Sequence, residues 1–403
     1  MRHDAIGKDI VFILTLLTII ISWGQSCCSK WVPSSAAAVL LGMIATFFWD
    51  TSDDQAFVFA SEMFFYMMLP PILLHSAFQF RMTSLRRTWL SSIVFAWVGT
   101  LLTVLMIAWG IIVWSSGTNM PFGVLDALLF ASILAPTDTV ATISLGNAIR
   151  RRSGRSHDNF IVEVLENESV MNDALSIVFV RLFSNMVEND TVMNRWVPIE
   201  AIGMSILYSF MAIAAGFVFA KIMNVVRIST MSLHFLFALQ LYAFCEYIGV
   251  SGILCIFVYG SCVDAPPEMV ASVESLSTIM ESYVYLTLGL ALQNYDVTMW
   301  YLSFGILLAC LIGRVVVVFF LGGMLRCCGE KHWDIRSLLF FSMCGVRGAI
   351  SFALSMSLQT RYAKFAQSTT FVVIMSTILC MGGMQKCVRS VLLREEQRFI
   401  TTV

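Results

Sequence analysis

Polar and apolar residues along this chain separate into whole segments rather than into the faces of single turns. Apolar windows of about 20 residues, the helical length that crosses a hydrocarbon core, recur between short polar loops. Thirteen are read, at about 9–25, 34–49, 57–78, 89–114, 122–147, 159–183, 199–224, 232–248, 251–263, 276–293, 299–325, 337–359 and 369–386. The eighth and ninth are short and nearly contiguous, so twelve spans is the alternative count. The first has the apolar length of a signal peptide, but no A-x-A cleavage site follows Ile21-Ser22-Trp23-Gly24-Gln25, so it is read as a span. The pattern predicts an all-α polytopic membrane protein without a soluble domain and with a short tail after Lys386.

Composition agrees: 58% of residues are hydrophobic and 13% charged, against about 45–50% and about 25% in soluble domains. The net charge of −1 gives no reason to expect a nucleic-acid partner. The 11 cysteines form no CxxC and no Cys/His cluster at zinc spacing, so no metal cofactor or other cofactor is expected. Cys27-Cys28 and Cys327-Cys328, at span ends, read as chance neighbours rather than palmitoylation sites.

The placement of charge says more than its total. One alternate set of loops holds Lys30; Arg81, Arg86 and Arg87; Arg150, Arg151, Arg152 and Arg155; Lys221 and Arg227; Arg326, Lys331 and Arg336; and Lys386, Arg389, Arg394 and Arg398. The other set, with the N-terminus, holds Arg2, Lys8, Arg195, Arg361 and Lys364. Basic loops stay cytoplasmic, so the N-terminus faces out and the C-terminus faces the cytoplasm. Asn189-Asp190-Thr191, a glycosylation candidate, then falls outside.

Ionisable residues within membrane spans are costly and mark ion or proton pathways. The fifth span carries Ala135-Pro136-Thr137-Asp138-Thr139. Pro136 has no N–H and frees an upstream carbonyl; carbonyls, hydroxyls and the Asp138 carboxylate together suit a hard cation. The sixth span carries Glu166 and Glu168-Ser169-Val170-Met171-Asn172-Asp173. At about 100° per residue, Ser169 and Asp173 share a face, with Glu166 near it one turn closer to the cytoplasm. Glu168 and Asn172 share another face, about 140° from Asp173. Asp173 is therefore placed on the ion path, and Glu168 is expected to meet a buried cation, for which Arg314 and Arg347 are the candidates.

Other spans carry weaker signals. Leu69-Pro70-Pro71-Ile72-Leu73-Leu74-His75 in the third predicts an interrupted backbone against a cavity wall. His75 reads as a packed polar residue or a modulator that titrates near neutral pH. Glu246 lies near an outer end, where it can reach water, and Glu281 is a helix-start acid or a modulator. Gly345-Val346-Arg347-Gly348 suggests a second broken helix in the twelfth span. The broken spans are then the fifth of the first six and the fifth of the last six. That order predicts an inverted repeat (1–183 and 232–386, with 199–224 as linker helix and 387–403 as cytoplasmic tail) whose interruptions cross at the midplane.

In the motifs Leu-Pro-Pro-Ile-Leu-Leu at 69–74, Ala-Pro-Thr-Asp at 135–138, Glu-Ser-Val-Met-Asn-Asp-Ala at 168–174, Ser-Gly-Ile-Leu at 251–254, Gly-Arg at 313–314 and Gly-Val-Arg-Gly-Ala-Ile-Ser-Phe at 345–352, the chain resembles the sodium/proton exchanger branch of the cation/proton antiporter-1 family. The resemblance implies a thirteen-helix fold with dimerisation and core domains, an elevator motion and a homodimer. It implies that Asp173 alternately binds cation and proton beside Asn172, and that Thr137, Asp138 and Ser169 complete the ion site. It implies a Glu168–Arg314 pair, charge compensation by Arg347 at the crossing, and an acidic position at Glu281. Three features depart from the family: Thr139 replaces a common proline, His75 replaces an acid that closes the third-span motif, and the long cytoplasmic tail of animal exchangers is not seen.

Function follows from competition at one site. A carboxylate in low-dielectric surroundings resists ionisation; a coordinated cation stabilises the ionised form and releases the proton. With Asn172 rather than an acid beside Asp173, and Asp138 ionised and paired, exchange is expected to be one-for-one and electroneutral. Na⁺ is the expected cation, held by Asp173 and Asp138, in a plasma-membrane protein that regulates intracellular pH and cation content. K⁺/H⁺ exchange, proton-coupled transport of an organic solute, and a non-transporting protein with structural charges are the alternatives.

Overall fold

The computed structural model describes residues 34–48, 64–79, 82–117, 122–139, 142, 156–188, 197–226, 231–290, 300–358 and 360–378. Among them no strand occurs; the elements are helices α1 Ser34–Phe48, α2 Leu69–Gln79, α3 Met82–Ile93, α4 Thr100–Ser115, α5 Val124–Leu134, α6 Ser156–Glu188, α7 Val197–Val226, α8 Met231–Tyr247, α9 Gly252–Cys262, α10 Pro267–Leu290, α11 Trp300–Cys327, α12 Ile335–Met343 and α13 Ala349–Met356, with a last helix, α14, over 363–378. The second to thirteenth predicted spans each fall on described helix. The first span, Cys27, Cys28, the loop Arg150–Arg155, Asn189 and the segment after 378 lie outside the described residues.

Four described helical runs are long and apolar enough to cross a membrane: Arg87–Ser115, Asn159–Val187, Leu207–Val226 and Trp300–Cys327. Their apolar side chains also face outward. On α4 and the turn before it, Trp97, Leu101, Leu105 and Trp109 are exposed at helical spacing, while Thr100, Val104, Ile107 and Ile111 are buried. That inversion of the soluble pattern is what a hydrocarbon solvent selects.

The paired prolines do not break α2. Pro70 and Pro71 lie inside one helical run, 64–79, from which they remove two donors. The amides they lack would have served Tyr66 and Met67, and the backbone there widens into a π turn over Phe64–Met68. Leu69 to Ala77 are all buried, so this stretch is packed protein.

The real interruptions lie in the fifth and twelfth spans. After α5 the chain is non-helical over Ala135–Asp138, with Thr139 helical again, and it is non-helical over Gly345–Gly348 before α13. The two breaks meet. The Asp138 amide donates to the Val346 carbonyl at 2.8 Å, and a Cβ on Gly348 would lie 3.0 Å from the Asp138 Cβ. Only a residue without a side chain lets the second break approach the first this closely.

Packing forms two groups. In one, α10 runs along α1 and α2, and α9 along α2, α7 and α8. In the other, α4 packs on α11 and α5, and α6 on α3 and α5. The α1–α10 seam is backbone on backbone: a Cβ on Gly42 would sit 2.3 Å from the Leu286 carbonyl oxygen, and one on Gly289 2.3 Å from that of Val39. Small residues at such seams are how helices associate in lipid. α10 also reaches α13, which packs on α5 and α6, so it touches both groups.

Candidate functional site

The site assembles where α6 passes the two breaks. Asp173 is 1% exposed, and its Oδ1 has no hydrogen-bond partner among the described residues. The charges of Asp138 and Glu168 both act on it. One turn earlier on the same face, Ser169 Oγ lies 3.0 Å from Thr142 Oγ1, which ties α6 to the segment after the first break. Ser176, a turn further on, is fully buried and its Oγ also lacks a partner.

At the first break, Thr137 Oγ1 is buried and unpartnered. Across it, Ser351 Oγ on α13 has the same status. Asp138 is held firmly: its amide bonds to Val346, and its Oδ2 accepts from the Tyr285 hydroxyl at 2.6 Å. The carbonyls around Pro136, expected to serve a cation, are engaged elsewhere. Ser132 accepts from the Ala135 amide at 3.4 Å. Ala135 and Pro136 accept from the Arg347 guanidinium, the latter at 3.2 Å. Arg347 is 1% exposed, so its charge is spent on these carbonyl dipoles. Among the described residues, the buried oxygens still without a partner at the crossing are side-chain hydroxyls and one carboxylate oxygen, a donor set suited to a small hard cation.

Glu168 has the opposite surroundings. Both its carboxylate oxygens accept from Arg314, a two-pronged pair with one arm at 2.8 Å. Of the two candidate arginines, Arg314 is the one that contacts Glu168. Asn172 joins this cluster rather than Asp173's: its Nδ2 donates to Glu168 Oε1 at 2.8 Å, and its Oδ1 accepts from Thr100. The Arg314 guanidinium lies 5.2 Å over the Phe341 ring, and a Cβ on Gly345 would come within 3.0 Å of its side chain. Glycine at 345 gives the arginine room.

The remaining candidates have partners of their own. Glu281 is buried on α10 and its Oε1 accepts from Ser277 at 2.9 Å. His75 Nε2 lies 3.0 Å from Gln79 Nε2, and its buried Nδ1 is unpartnered. Glu166 is half-buried. Glu246 is only 10% exposed and pairs with Arg181, while its Oε1 accepts from the Gly252 amide at 2.8 Å. That pair joins α6 to the α8–α9 turn, in place of the contact with water expected of Glu246.

Thr100, Thr142, Ser176, Tyr285 and Ser351 were not singled out from the sequence. Two had a signal: Thr142 is four residues after Asp138, and Tyr285 four after Glu281, each on the face of a flagged acid.

Comparison with known proteins places the chain among transmembrane exchangers. The family model described as "Sodium/hydrogen exchanger, transmembrane" matches residues 12–388. Sodium/hydrogen exchanger 1 of Dictyostelium discoideum is 26% identical over 399 residues, covering 93% of this chain and 58% of that protein. Human sodium/hydrogen exchanger 8 is 26% identical over 387 residues, covering 87% of this chain and 65% of that protein. The chain thus spans only part of the length of these relatives. The solved sodium proton antiporter MjNhaP1 of Methanocaldococcus jannaschii at pH 8 has the same fold, with a TM-score of 0.73, 19% identity, and coverage of 94% of this chain and 97% of that one.

Proposed function

The chain belongs to the transmembrane sodium/hydrogen exchanger family, and from that premise we propose that it is a secondary active antiporter exchanging Na⁺ for H⁺ at Asp173. The observation that carries the proposal is the Asp173 carboxylate, buried within the protein with one oxygen that no donor among the described residues satisfies. Such a group is stable when it holds a proton or when it holds a cation, and unstable when it holds neither. The two ligands therefore compete for one place, and only loaded forms change sides.

Each neighbour has a part. Asp138 supplies a second carboxylate, ionised throughout. Thr137 and Ser169 supply hydroxyls. Glu168, Arg314 and Asn172 form a closed, neutral cluster that keeps the back of α6 rigid. Arg347 satisfies the carbonyls of the first break. Because Glu168 is neutralised and Asp138 stays ionised, one proton leaves for each Na⁺ that binds, and the exchange is electroneutral.

The transporter works as a homodimer in the plasma membrane, with its N-terminus outside and its C-terminus in the cytoplasm, and it sets intracellular pH and cation content. Residues 1–183 and 232–386 are its two repeats and 199–224 the linker helix. It performs transport, with no covalent chemistry.

Proteoliposomes loaded with a pH-sensitive dye test this reading. Addition of Na⁺ is expected to dissipate a proton gradient at a rate unaffected by an imposed membrane potential, with K⁺ and Li⁺ run alongside. A rate that follows the potential contradicts one-for-one exchange. A gradient that responds to none of the three cations contradicts the antiport.

A further inference from the structure

Ser176 takes no part in the exchange scheme described above, yet it stands on the same face of α6 as Asp173. Ser169, Asp173 and Ser176 are spaced i, i+4 and i+7, which places them on one stripe within about 60° of arc. Asp173 marks the midpoint of the apolar run Asn159–Val187, and Ser176 lies one turn beyond it. Ser169 is engaged: its Oγ donates to the Glu166 carbonyl at 3.2 Å and lies 3.0 Å from Thr142 Oγ1. Ser176 is fully buried, and among the described residues its Oγ has no partner. Other buried hydroxyls on the helices reach back to a carbonyl about one turn earlier: Ser76 to Ile72 at 3.1 Å, Ser132 to Leu128 at 2.8 Å, Ser355 to Phe352 at 2.6 Å and Thr377 to Ile374 at 3.0 Å. Ser176 departs from that habit, and it does so beside a carboxylate oxygen in the same state.

We propose that Ser176 is a further ligand of the transported cation, supplying a neutral oxygen next to Asp173 Oδ1 on the side of the site nearer the C-terminal end of α6. The proposal rests on the antiport reading. A buried hydroxyl without a hydrogen bond is costly, and in a native protein it calls for an explanation. The back-bonding seen at Ser76, Ser132, Ser355 and Thr377 shows that the local remedy is in common use here. A hard cation takes its ligands as oxygens, charged and neutral alike. Asp173 and Ser176 offer one of each, a turn apart on one helix face, and both are free of protein partners among the described residues. Thr137 at the first break and Ser351 on α13 carry hydroxyls in the same state. An uncharged ligand adds to cation affinity without adding a second place for a proton. In the cation-free protein the Ser176 hydroxyl is a cost to stability, and in the loaded protein it is a contact.

Three substitutions in the full chain test this, in detergent and in proteoliposomes. Ser176→Ala removes the oxygen. Ser176→Cys nearly keeps the size but offers a soft sulfur to a hard ion. Ser176→Thr keeps the oxygen. With choline as the only cation, Ser176→Ala is expected to melt at or above wild type, because the hydroxyl it removes has no bond to lose. Na⁺ raises the melting temperature by binding the folded state. The Na⁺ concentration that half-saturates this rise, and the KM for Na⁺ in exchange, are both expected to increase about tenfold in Ser176→Ala and Ser176→Cys, the scale of one polar contact to a charged group. The change in kcat is expected to be smaller, and Ser176→Thr to fall between Ser176→Ala and wild type. A packing role gives the reverse: a lower melting temperature in choline and an unchanged KM. That result overturns the proposal, as does a wild-type KM in both Ser176→Ala and Ser176→Cys, and in either case the antiport reading stands if wild type exchanges Na⁺ for H⁺. Failure of both variants to fold also overturns it, since a hydroxyl without a partner supports no structure. If wild type itself moves no protons on Na⁺ addition, the antiport reading is what fails, and the assignment of Ser176 falls with it.

Discussion

Glu168 and Asp173 stand five residues apart on α6, and one is closed while the other is open. Glu168 is gripped at both oxygens by Arg314 and touched by Asn172. Asp173, equally buried, leaves Oδ1 without a donor. The helix turns about 140° between them, so one carboxylate faces α11 and the other faces the crossing. A single helix thus carries both a neutralised support and a carboxylate free to take a cation or a proton.

The support has a measurable energy. Removing one partner of a buried ion pair costs about 3–5 kcal/mol, because the other charge is left uncompensated. Glu168→Arg and Arg314→Glu are each expected to abolish most folded protein in fluorescence-detected size exclusion. The double reversal is expected to recover it, since the bidentate geometry needs one guanidinium and one carboxylate, in either order. Failure of the double variant to improve on either single variant would mean that the pair is not an isolated unit.

Arg347 acts on backbone rather than on an acid. Its loss leaves the Ala135 and Pro136 carbonyls buried without a donor, at about 1–3 kcal/mol each. Arg347→Gln is expected to lower the melting temperature and the exchange rate together, and Arg347→Lys, which keeps one charged donor, to fall between it and wild type. A Gln variant that melts with wild type would show that the carbonyls find other partners.

The α1–α10 seam predicts a stability change far from any charge. Gly289→Ala places a methyl group 2.3 Å from the Val39 carbonyl oxygen, where backbone must move, and overpacking of this kind costs about 1–3 kcal/mol. Gly323→Ala, on α11, meets nothing within 4 Å and is expected to melt at or slightly above wild type, since alanine favours helix. Equal melting temperatures for the two variants would contradict the close approach.

Much of this was legible in the residues themselves. The period of the helix separated Glu168 from Asp173, and the Pro136 and Gly345–Gly348 signals placed both breaks. What stayed hidden depends on how helices distant in sequence rotate against one another. From helix faces alone Arg314 and Arg347 were both candidates for Glu168, and the family resemblance implied Arg314; with the helices placed, one faces the acid and the other faces carbonyls. Pro136 announced a freed upstream carbonyl, which the Ala135 amide takes up locally, but the donor to the Ala135 and Pro136 carbonyls lies more than two hundred residues away. Tyr285 looked like one more aromatic in an apolar helix, because its hydroxyl matters only once α10 lies against the crossing. The Pro70-Pro71 pair does disturb the ladder, and the backbone absorbs it as a π turn over Phe64–Met68 inside a continuing helix.

Asp173→Asn in proteoliposomes is the most direct test of the central claim. Asparagine keeps the size and loses both the charge and the exchangeable proton. The variant is expected to elute as folded protein and to leave a proton gradient intact when Na⁺ is added, at pH values where wild type collapses it. A gradient that Asp173→Asn dissipates at the wild-type rate would contradict the assignment of Asp173 as the residue for which Na⁺ and H⁺ compete.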